Sequence, residues 1–113
     1  MPTQFWIEEI LQNAQAAAAA DGVESVVAGY DFVVVHVKAA ASWDGTINFE
    51  ADVAGWVVIQ GEKVSDSTLV TTATGTTLDA VYRFDVTGLK RFRARVSGRA
   101  VGNVTVTARR QVA

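Results

Sequence analysis

Polar and apolar residues alternate along most of this chain. In residues 90–97, Phe92, Ala94 and Val96 fall on one side, and Arg91, Arg93 and Arg95 on the other. Tyr82, Phe84 and Val86 oppose Arg83 and Asp85, Ile47 and Phe49 oppose Asn48 and Glu50, and Val104, Val106 and Ala108 oppose Thr105, Thr107 and Arg109. A period of two with β-branched residues is the signature of strands that bury one face. It predicts strands near 23–28, 30–39, 45–52, 55–61, 67–73, 80–87, 90–97 and 102–110. Turns are marked at Gly29, Asp44-Gly45, Ala54-Gly55, Gly75, Thr87-Gly88 and between Gly98 and Gly102. Such short strands, with no helix between them, imply antiparallel pairing in a two-layer all-β fold, a jelly-roll-like antiparallel β-sandwich of about eight strands.

Two segments depart from this pattern. From Phe32 to Val37 both faces are largely apolar, which implies a strand central to the core or covered by another subunit. In the first twenty residues, Phe5, Trp6, Ile10 and Leu11 lie near helical spacing, Thr3 stands as a cap and an alanine run follows. A helix within residues 4–20 is expected, with an extended arm as the alternative. The predicted organisation is an N-terminal helix or arm over 1–22 and a β-sandwich domain over 23–113.

The length of 113 residues suits one domain, and the absence of cysteine excludes disulfides and thiolate metal sites. No apolar run approaches the roughly 18 residues of a membrane-spanning helix, so no membrane partner is expected. With no secretory signal in residues 1–20, a cytoplasm-like compartment is expected. The net charge of −2 hides a separation: residues 1–82 carry eleven acidic and two basic side chains, residues 83–113 eight basic and one acidic. Asymmetry of this kind speaks of partners rather than of fold. Assembly or internal pairing is favoured over nucleic acid, because no aromatic is interleaved on the face that carries the arginine row Arg91, Arg93, Arg95 to stack bases and arginine is at home in interfaces.

Candidate chemistry is sparse. His36 is the single histidine, and no serine lies in a nucleophile-elbow sequence. Glu50 and Asp52 share a strand side, and Asp44 and Asp66 lie in turn-like contexts, without the patterns of a hydrolase pair or a calcium loop. Trp6, Trp43, Trp56, Tyr30 and Tyr82 are expected as core or interface anchors more than as a sugar platform. These features predict a protein without enzymatic activity, metal or cofactor.

The segment from Gly29-Tyr30 through Trp43 to Glu50, then Phe84 to Gly88, Arg93 to Ser97 and Gly102 to Thr107, resembles a family of small β-sandwich virion proteins of tailed bacteriophages. The resemblance covers about residues 23–110 and consists of turns and strand ends. The chain departs from it after Phe49-Glu50, where Ala51 to Gly55 replaces an Asn-Asp-Gly-like turn. It implies a capsid decoration (cement) protein that binds and stabilises the head surface, localised to the virion and assembled in the host cytoplasm. A tail or baseplate component, or a carbohydrate-binding module of a receptor-binding protein, is the alternative. It further implies a homo-oligomer, a trimer above others, with the major capsid protein or another virion protein as partner. On this reading Phe5, Trp6, Ile10 and Leu11 form an N-terminal clasp and Arg91, Arg93 and Arg95 add charge pairing.

Overall fold

A computed structural model describes residues 6–40 and 42–112. Among the described residues the fold is all-β, with eleven strands in two antiparallel sheets. In chain order they are β1 (Trp6–Gln15), β2 (Ser25–Val26), β3 (Phe32–Ala39), β4 (Thr46–Asp52), β5 (Trp56–Val58), β6 (Gly61–Lys63), β7 (Leu69–Val70), β8 (Thr72–Thr74), β9 (Asp79–Asp85), β10 (Arg91–Ser97) and β11 (Val104–Gln111). The first sheet runs β1-β11-β3-β9-β6-β7 and the second β2-β10-β4-β5, with β8 also paired to β4.

The long strands keep the faces that alternation assigns. Phe92, Ala94 and Val96, Ile47 and Phe49, Tyr82 and Phe84, and Val104, Val106 and Ala108 all turn into the core between the sheets. At its centre Phe49 lies 4.6 Å from Phe84 and 5.3 Å from Tyr82, ring centre to ring centre, and Phe84 lies 5.1 Å from Phe92. These are tilted contacts of the kind that aromatic quadrupoles favour. Gly61 permits this packing, because a Cβ there would fall into the Phe84 ring. Gly102 has φ +79° and its α-carbon lies against the Trp43 backbone, so no side chain fits there either.

The strand count exceeds eight because two expected strands change sheets midway and the N-terminal segment adds β1. Residues 55–61 divide into β5 in the second sheet and β6 in the first, and residues 67–73 into β7 in the first and β8 in the second. Each crossing closes a corner of the sandwich.

The helix expected within residues 4–20 does not form. Residues 6–15 are β1, which pairs with β11 from Trp6↔Gln111 to Gln15↔Val104. The register shifts between Ile10 and Gln12, and again before Gln15. At the first shift Leu11 and Gln12, adjacent in sequence, are both buried. A bulge places two neighbours on the inner side and so breaks the two-residue period; the remaining spacing imitates a helix. Gln12 Nε2 then donates to the carbonyl of Ala94 (2.9 Å) and to that of Ala20 (3.1 Å), tying β1 to the second sheet.

β3 accounts for the doubly apolar segment. It lies between β11 and β9 with Val33, Val35 and Val37 buried. On its outer side Phe32 and Val34 are half-buried and His36 is exposed. The Arg83 guanidinium covers the Phe32 ring at 4.0 Å.

Candidate functional site

The arginine row stands on the outer face of the second sheet, as its alternation requires. What it meets there comes from other strands. β4 pairs with β10 so that Glu50 is opposite Arg93 and diagonal to Arg95. Glu50 Oε1 accepts from Arg93 Nε at 2.8 Å, and Oε2 accepts from Arg95 Nε at 3.1 Å. The carboxylate is thus clamped between two guanidiniums, and its side chain is only 9 % exposed. Arg93 also lies 3.7 Å from Asp21 and stacks on Trp56 at 4.1 Å. Arg91 Nη1 donates to Glu24 at 3.2 Å. Every member of the row has an acidic partner within the chain.

The predicted clasp is divided. Phe5 lies outside the described residues, and Trp6 opens β1. Ile10 is 50 % exposed, whereas Leu11 belongs to the core. The clasp and the arginine row lie on different sheets, so the structure does not bring them into one site. The acid–base contacts of β1 join it to its own neighbour: Glu8 to Arg109 at 3.2 Å and Glu9 to Arg110 at 3.4 Å. Sequence spacing gives no sign of these cross-strand pairs, since register decides which carboxylate meets which guanidinium.

His36 is placed beside Asp79 on the outer face of the first sheet, Nε2 to Oδ1 2.5 Å. The hydrogen bond from His36 holds the Asp79 carboxyl below its ordinary range. His36 borders an open depression of about 480 Å³ whose lining includes Glu8, Val34, Val81, Thr107 and Arg109.

The remaining candidates are absorbed by the fold. Asp44 accepts from the amides of Ala100 (2.8 Å) and Val101 (3.0 Å), and those bonds, Val101 first, lower its pKa. Asp66 accepts from Thr68, hydroxyl and amide, with the same effect. Asp52 accepts from the Gly55 amide at 3.1 Å and shapes the β4–β5 turn. No group of three potential metal ligands occurs among the described residues. Four of the candidate aromatics form no common platform: Trp43 and Tyr82 are buried, Trp56 lies under Arg93, and half-buried Tyr30 has the Arg110 guanidinium over it at 5.2 Å. Burial raises the Tyr82 phenol pKa.

A family model described as XepA matches residues 7–110. Two solved structures are similar across 98 % of the chain at 20 % identity. One is the SPBc2 prophage-derived protein YomS, of which 96 % is covered with a TM-score of 0.84. The other is the PBSX exported protein XepA, with a TM-score of 0.85. The chain spans 39 % of the length of that second protein. No curated protein matches the chain.

Proposed function

The chain belongs to the XepA family, and from that membership we propose that it is a non-enzymatic structural protein of a phage particle, a decoration subunit on the head surface. Support for a phage setting comes from YomS, whose description is prophage-derived and whose length the chain matches almost end to end. The observation that carries the structural role is how the candidate catalytic groups are used. Glu50 is clamped by Arg93 and Arg95, Asp44, Asp52 and Asp66 hold turns, and His36 pairs with Asp79. These side chains are engaged in contacts within the sandwich, with another side chain or with a turn amide. A subunit that fixes a lattice needs such rigidity, together with several weak contacts that add through avidity. In this proposal the chain acts as a homo-oligomer, and the exposed Ile10 side of β1 and Arg91 at the end of the arginine row contribute contacts to a neighbouring virion protein.

The test is particle composition and location. Purified, salt-washed particles should contain the protein, gold-labelled antibody should decorate heads, and particles lacking it should lose DNA at lower temperature. Label confined to tails would replace the decoration role with a tail role. Protein found only in the wash would refute a virion role altogether. Light scattering of the purified chain distinguishes a trimer from other assemblies.

A further inference from the structure

Sheet edges are where a β protein meets other chains, because each presents a row of unpaired amides and carbonyls. The first sheet ends in β1 and β7, the second in β2 on one side and β5 and β8 on the other. β2 and β7 are two residues long, and β5 and β8 three. Short edges discourage pairing. β1 is ten residues long. Its second half is bulged, and the Leu11 carbonyl is taken by the Val23 amide at 3.0 Å. Among the described residues, no strand pairs with the outer edge of residues 6–10.

That stretch also lacks the usual guards. It contains no proline and no lysine, and its carboxylates, Glu8 and Glu9, are drawn toward Arg109 and Arg110 of β11. Ile7 and Ile10, 43 % and 50 % exposed, flank it.

We propose that residues 6–10 of β1 are a docking edge for an extended segment of another protein, which adds as a further strand and carries basic side chains. This rests on the assembly reading above and gives it a mode of attachment. Backbone pairing supplies affinity in strand addition, and alternate side chains supply selectivity. No basic side chain lies in residues 6–15, and Glu8, beside Arg109, keeps its side chain 52 % exposed, so a strand carrying basic side chains is complementary. A second copy of β1 is not: antiparallel pairing would set the Glu8–Glu9 region against the same carboxylates, and like charges across a ladder repel.

The experiment uses the full chain labelled with nitrogen-15 and three end-blocked heptapeptides. The first is Thr-Val-Lys-Val-Lys-Val-Thr, the second has Glu for Lys, and the third is the first with every amide N-methylated. The lysine peptide should shift amide signals of residues 6–10 and of adjoining β11. Its affinity should fall about tenfold when salt shortens the Debye length, and about tenfold in Ile10→Lys, which sets a cation beside the edge. The other two peptides should leave the spectrum unchanged. The proposal is overturned by shifts elsewhere, by equal binding of the glutamate or N-methylated peptide, or by no shift at about 1 mM peptide, a concentration at which binding of only about 4 kcal/mol is visible. Cosedimentation with particles is scored separately. Attachment to particles without peptide binding refutes the edge alone, and peptide binding by a chain absent from particles refutes the virion reading alone.

Discussion

Replacing Glu50 with alanine removes the carboxylate from between two guanidiniums and tests whether the arginine row is held by the fold. Removing one partner from a fully buried ion pair costs about 3–5 kcal/mol, mostly because the other charge is stranded. Here the loss is smaller. Arg93, 13 % exposed, keeps Asp21 at 3.7 Å and the face of Trp56, and Arg95, 33 % exposed, can turn toward water. Glu50→Ala should therefore lose about 2–3 kcal/mol of stability, equivalent to a Tm lower by roughly 8–15 °C for a domain of this size. Urea unfolding followed by tryptophan fluorescence measures it, with an unchanged m value showing that only stability moved. A double-mutant cycle then apportions the clamp: coupling of Glu50 to Arg93 should be about 1.5–3 kcal/mol, and to the more exposed Arg95 below about 1 kcal/mol. Glu24→Ala, which frees the exposed Arg91, should change stability by less than about 0.5 kcal/mol. A Glu50→Ala midpoint equal to wild type, or a coupling to Arg95 that matches the one to Arg93, would refute the buried clamp.

Other expectations follow from single contacts. Gln12→Leu removes the side-chain donor to the Ala94 carbonyl, while the Ala20 carbonyl keeps the Val96 amide, and should cost about 1–3 kcal/mol by denaturant titration, with faster amide exchange along β1. Gly61→Ala drives a methyl into Phe84 and should cost about 1–3 kcal/mol, whereas Gly29→Ala, with open space around its α-carbon but φ +88°, should lose only about 1 kcal/mol or less. Asp44 and Asp79 have folded pKa values below the unfolded 3.8. Such groups contribute stability that is present above the unfolded pKa and is lost as pH falls through the folded one. Asp44→Asn and Asp79→Asn should thus flatten the stability loss below about pH 4; an unaltered acid-unfolding profile would contradict those contacts.

The alternation of Phe92, Ala94 and Val96 with the three arginines was sufficient to place β10 and its buried face, because a half-solvated strand must sort its side chains two by two. The same logic located β3, β4, β9 and β11 and marked the Phe32–Val37 segment as central. It was insufficient at β1, where a bulge sends Leu11 and Gln12 inward together and erases the period, and in residues 55–61 and 67–73, where a strand leaves one sheet for the other without any change in composition. The candidate surface was only half legible for a related reason. Sequence shows which charges lie along a strand, but the partners of Arg93, Arg95, Arg109 and Arg110 come from strands tens of residues away. Local residue pattern determines which face a side chain takes; register and sheet order, set by packing of the whole core, decide what it meets there.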